Sequence, residues 1–75
     1  MSAQEILLEL CGMMPPEPME RVLEALDLLQ PGQHIRMVID REPVPLYRIL
    51  EKNGYRHATS MREDYIYEIL ITHAD

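Results

Sequence analysis

A single cysteine is all that the 75 residues hold, so an internal disulfide is excluded and no covalent staple can hold the fold. Positive charge is scarce as well: seven Lys plus Arg stand against thirteen Asp plus Glu, for a formal net charge of −6. Affinity for phosphate backbones comes from clustered positive charge, so nucleic acid is not an expected partner. No apolar run approaches the roughly 18 residues that span a bilayer, and no membrane association is expected. The start, Met1-Ser2-Ala3-Gln4-Glu5, carries no basic side chain, and Glu9 cuts short the stretch Ile6-Leu7-Leu8, so a secretory leader is not expected. Leu8-Glu9-Leu10-Cys11 has the outline of a lipoprotein cleavage box, but its carboxylate and the missing basic segment argue against one. The cytoplasm is the expected compartment. Length is also short: one domain, residues 1–75, is expected, and a chain this size buries only about 60% of the surface its unfolded form exposes, which leaves little volume for a deep cleft.

What the chain does have is an alternation of strand and helix signals. Ile6, Leu8 and Leu10 alternate with Leu7, Glu9 and Cys11 as a brief first strand, which Gly12 and a proline-rich turn end. From Pro16 to Leu29, Met19, Val22, Leu23, Leu26 and Leu29 recur at three and four, while Glu17, Glu20, Glu24 and Asp27 mark another face at the same period, the pattern of an amphipathic helix. Pro31-Gly32 stops it. Ile35, Met37 and Ile39 then alternate with His34, Arg36 and Val38 as a second strand. After the turn Asp40-Arg41-Glu42-Pro43, Leu46, Ile49 and Leu50 mark a shorter helix ended by Asn53-Gly54. Tyr55 to Ser60 and Tyr65 to Thr72 are β-prone runs joined through Met61-Arg62-Glu63-Asp64 as a hairpin. No repeat, low-complexity tract or linker interrupts the order βαβαββ.

A right-handed strand-helix-strand crossover places the first helix over the sheet, and the second lies most economically on the same face. The expected fold is α/β (α+β): a two-layer sandwich with a four-stranded mixed sheet and two helices on one face. The other face of the sheet is left without a covering layer. Leu7, Val38 and one set of side chains from Tyr65 to Thr72 would make it partly apolar, a surface suited to a partner or to a homodimer; an ordinary solvated sheet with scattered apolar residues is the plainer alternative.

Chemistry-bearing patterns are few. No Ser-His-Asp order, phosphate loop or dinucleotide fingerprint is present. His34, His57 and His73 are widely separated and none is spaced with another ligand, so no zinc site is expected. Cys11, Met13 and Met14 are soft ligands in one turn that would suit Cu(I), although loop methionines more often fill gaps over a core. The carboxylates of the first helix read as a solvated acidic face rather than a catalytic pair. No catalytic residue, cofactor or metal is assigned.

Gly12-Met13-Met14-Pro15-Pro16-Glu17-Pro18, at the first strand-to-helix turn, resembles the TusA-like sulfur carriers. In those proteins a strand and a glycine lead to Cys-Pro-x-Pro at the start of the first helix, where the cysteine carries a persulfide. Gly12, Pro16, Glu17 and Pro18 match, Pro31-Gly32 falls where the carriers end that helix, and Pro15 stands in the cysteine's place. The chain is more similar still to an uncharacterised bacterial family, domain of unknown function 2249, whose members look like sulfur carriers without the cysteine. The family's Pro-Pro-Glu-Pro-Met-Glu stands here as Pro15 to Glu20, and its Asp-x-Glu/Asp-Pro-x-Pro-Leu-Tyr as Asp40 to Tyr47; Gly54-Tyr55 fits as well. That family has no established activity; its members often lie beside, or fused to, hemerythrin-like and other redox proteins, which implies a fold and hints at context.

The replacement has a physical meaning of its own. A cysteine at a helix start is activated by the helix dipole and by unpaired backbone N–H groups. Proline offers no nucleophile, and Pro15, Pro16 and Pro18 lack amide hydrogens that would cradle an anion. Glu17 and Glu20 complement the dipole themselves, so this start reads as a rigid, pre-set helix opening. Cys11 is the remaining thiol. Four residues of extended chain put it up to about 13 Å from Pro15, and no basic group is close in sequence, so a packed or half-exposed structural cysteine is preferred to a reactive one.

Charge is uneven. Residues 1–40 hold seven acids and two arginines, whereas residues 41–75 hold six acids and five bases, with Arg48, Lys52 and Arg56 close in sequence. The first helix is the acidic pole, able to orient a basic partner during encounter; solubility alone is the plain alternative. The reading favoured is a non-catalytic interaction or accessory module in a redox or sulfur context, docking a protein partner through Met14, Pro15, Pro16, Glu17, Pro18, Glu20 and Glu24. The alternatives are a sulfur or redox carrier using Cys11, and a small-ligand or metal-binding protein using the Met13-Met14-Pro15 turn.

Overall fold

A computed structural model describes residues 4–74; the expectation placed on Met1-Ser2-Ala3 lies outside the described residues. The elements follow the expected order: β1 (Glu5–Glu9), α1 (Glu17–Leu28), β2 (His34–Ile39), α2 (Val44–Lys52), β3 (Tyr55–Met61) and β4 (Tyr67–His73). They form one mixed sheet in the order β1-β2-β4-β3, with β1 parallel to β2 and β4 antiparallel to both β2 and β3.

Alternation along each strand sorts side chains onto two faces. Ile35, Met37, Ile39, Ile69 and Ile71 face the helices and are buried together with Val22, Leu26, Leu46 and Leu50. α1 contributes the three-and-four stripe expected of it, although Leu23 stays partly exposed and Leu29, beyond the helix end, is buried in the same core. Gly54 closes α2 with a φ of +81°, the left-handed conformation for which glycine suits a C-terminal position. No helix among the described residues is long and apolar enough to cross a membrane.

Three local expectations need correction. β1 ends at Glu9 and not at Cys11; Leu10, 2% exposed, turns into the core, and Cys11 beyond it is exposed. The β3–β4 connection runs through Ile66, not Asp64. Tyr65 lies inside the turn with a φ of 64°, its amide donates to the Arg62 carbonyl at 3.1 Å, and it is 78% exposed. Its β propensity lost to the turn, where a short polar link places it on the outside. On the open face Leu7 is exposed as expected, but Val38 is buried at 9%. Charges share that face: Glu5 Oε1 lies 2.9 Å from both His34 Nε2 and Arg36 Nε, and Arg36 reaches Glu68 at 3.3 Å.

Candidate functional site

Parallel neighbours β1 and β2 both run toward the same end of the sheet, so the loops that leave them meet there, and each leads into a helix opened by prolines. Between the two helix starts lies a hollow of about 230 Å³ lined by Pro15, Pro16, Pro18, Met19, Val22, Met37, Ile39, Arg41, Glu42, Pro43, Pro45 and Leu46. Five of the chain's six prolines line it. Its floor is β2 and its wall is apolar except for Arg41 and Glu42 at the second loop. The Gly12 N–H donates to Asp40 Oδ2 at 3.1 Å and ties the first loop to the second. The Pro15–Pro16 peptide bond is cis.

Backbone amides are mostly withdrawn from this space. Glu17 and Glu20 donate to the Met14 and Pro16 carbonyls at 3.0 and 3.1 Å, and Pro18 has no hydrogen to offer. At the start of α2, Val44 and Leu46 donate to Glu42 and Pro43, and Pro45 again has none. Neither helix carries a side-chain cap. The hollow is therefore suited to an apolar group and unsuited to a phosphate or persulfide, which needs several converging donors. Its volume is below the ~300–1,000 Å³ of ordinary small-molecule clefts but ample for one large side chain.

Only part of the expected surface converges here. Pro15, Pro16 and Pro18 line the hollow. Met14 is 74% exposed outside the lining, Glu17 pairs with Arg21 at 3.5 Å, and Glu20 and Glu24 stand exposed on α1. Met13 packs against the core while Met14 faces out, so the two thioethers of the turn diverge. Among the described residues no three His, Cys, Asp or Glu side chains cluster as a metal site would need. Arg41, Pro43 and Pro45 line the hollow although the sequence alone does not assign them to it. The signal for them is that Pro16-Glu17-Pro18 and Glu42-Pro43-Val44-Pro45 each open a helix after a strand, and parallel adjacent strands bring such loops together.

A second polar group joins α2 to β3. The Tyr47 ring stacks on His57 with centroids 4.4 Å apart and planes 5° from parallel, and its hydroxyl lies 2.7 Å from Thr59 Oγ1 and donates to Glu42 at 3.2 Å. Burial, the largest cause, raises the Tyr47 phenol above its ordinary value. His57 also meets Glu51 at 3.1 Å. These contacts are mutually satisfied and fasten the edge strand to the helix.

The sheet order and the two helices on one face are those of a TusA-like sandwich, the class this fold defines. Its likeness to the crystal structure of a SirA-like protein from Desulfitobacterium hafniense has a TM-score of 0.80, covering 92% of this chain and 97% of that one at 19% identity. The chain belongs to the family described as "Uncharacterized conserved protein (DUF2249)", which matches residues 7–73. Among proteins of curated function none matches it.

Proposed function

We propose that the chain is a non-catalytic docking module that receives an apolar side chain of a protein partner in the proline-walled hollow, within the sulfur or redox setting that its SirA-like fold suggests. The observation that carries this reading is the lining itself: apolar but for Arg41 and Glu42, with no thiol or hydroxyl in it. Proline rings fix the backbone on both sides, so the hollow is ready-made and ordering it on binding costs little. The exposed Glu20 and Glu24 of α1 favour a partner whose segment carries basic residues beside its apolar anchor.

Methionine methyl NMR with indole as the probe tests the hollow. Met19 and Met37 line it and are expected to shift saturably, while Met14 and Met61, both exposed, stay put. A photoreactive side chain at position 16 is expected to capture a protein in the native cell extract, with a yield that indole competes away. Equal shifts at all methionines, or capture indifferent to indole, would overturn the reading.

The exposed Cys11 thiol supports a second reading, a sulfur carrier. Treatment with polysulfide followed by intact mass measurement decides it. A stable gain of one sulfur, absent in Cys11→Ser, would favour the carrier over the docking module.

A further inference from the structure

The sheet has two edges, and they are treated differently. β1 is five residues long and begins and ends in glutamate on the open face. Paired antiparallel with its own copy about a central Leu7, it would set Glu5 opposite Glu9, like charge against like, which disfavours the pairing. β3 is seven residues long and contains no proline, glycine, lysine or acid, so that of the devices that usually protect an edge it has one permanent charge, Arg56.

We propose that the outer edge of β3 pairs antiparallel with the same edge of a second copy, joining two four-stranded sheets into one. The inference stands apart from the hollow, which lies beside the other strands. The register between β3 and β4, together with the bonds from Ala74 N–H to the Gly54 carbonyl and from Arg62 N–H to the Ile66 carbonyl, assigns the even-numbered residues to the internal ladder. The N–H and C=O groups of Tyr55, His57, Thr59 and Met61 therefore point away from β4. A two-fold centred on Ala58 uses all four: Tyr55 faces Met61 of the copy and His57 faces Thr59, each as a hydrogen-bonded pair.

Side chains agree with this register. Arg56 comes opposite Ser60, and Ala58 opposite Ala58, so no like charges meet and the closest pair is small. α2 meets β3 through side chains on the helix face of the strand, Tyr47 on His57 and Thr59 and Glu51 on His57, while its Leu46 and Leu50 are buried in the core. One strand pair buries less than the ~1,200 Å² at which standard interfaces begin, so the dimer is a weak one, populated toward millimolar protein.

Sedimentation equilibrium of the full chain from micromolar to millimolar concentration is expected to show a monomer–dimer equilibrium. Ala58 is exposed, so a charge there is tolerated by the monomer but meets its own copy across the two-fold. Ala58→Glu and Ala58→Lys are each expected to weaken the dimer about fivefold, and an equimolar mixture to recover it as a heterodimer. Amide exchange at His57 and Thr59 is expected to slow as concentration rises. A chain that stays monomeric at millimolar concentration would overturn the proposal. So would a dimer indifferent to both substitutions with fast-exchanging His57 and Thr59 amides, which would place the contact elsewhere, for instance on the open face around Leu7.

Discussion

Glu5 joins β1 to β2 on the open face through His34 and Arg36, and Arg36 carries the link on to Glu68 of β4. Hydrogen bonds from His34 and then Arg36 hold the Glu5 carboxyl below the ordinary value of 4.5, while the bond to Glu5 raises Arg36. A carboxylate whose folded value is depressed contributes stability that is present above its unfolded value and lost as pH falls through the folded one. Wild type is therefore expected to lose urea resistance between neutral pH and pH below 4.5, and Glu5→Gln to lose less over the same span, so that the two urea midpoints converge in acid. A constant gap between them at all pH values would show that the network has no linkage to folding. The sequence places Arg36 and His34 on one face of β2 by simple alternation. It does not reveal their shared partner, 31 positions from Arg36 and 29 from His34, because cross-strand neighbours depend on register and not on local pattern.

Elements were legible where periodicity is long. Twelve residues of α1 carry a three-and-four stripe with acids in the first turn, and the structure keeps it almost end to end. Short links were not: Tyr65 is β-prone by type yet belongs to the turn, since the identity of one residue says little about where a short connection bends. The hollow was half legible. Each proline motif is visible alone, but its convergence with the other follows from the parallel pairing of β1 and β2, a fact of topology. Asp40 is where the two loops join, through the Gly12 amide. Asp40→Ala is expected to cost about 0.5–1.5 kcal/mol, the net worth of a hydrogen bond at an exposed site. If the bond sets the shape of the hollow, the Met19 and Met37 methyl resonances move in Asp40→Ala while that of Met61 does not. A stability loss without any such shift would make Asp40 a brace for the fold alone.

At the scale of the molecule, charge separates from stability. Glu20 and Glu24 are exposed, so their Coulomb energy is spent mostly on solvent and screening ions. Reversing both to lysine moves the net charge from −6 to −2. The unfolding free energy in urea is expected to fall by about 1 kcal/mol or less, because Glu20 gives up a favourable place in the first turn of α1 while Glu24, a surface position away from caps, core and networks, adds almost nothing. Association with a basic partner should behave differently. Long-range attraction sets the rate of encounter, so Glu20→Lys with Glu24→Lys is expected to slow capture by the photoreactive side chain at position 16, with an effect that shrinks as salt is raised. Salt dependence distinguishes this from a damaged surface: a capture rate reduced equally at low and high salt would mean that α1 touches the partner directly through those two positions. A rate unchanged at low salt would remove the acidic helix from recognition and leave the proline-walled hollow to act alone.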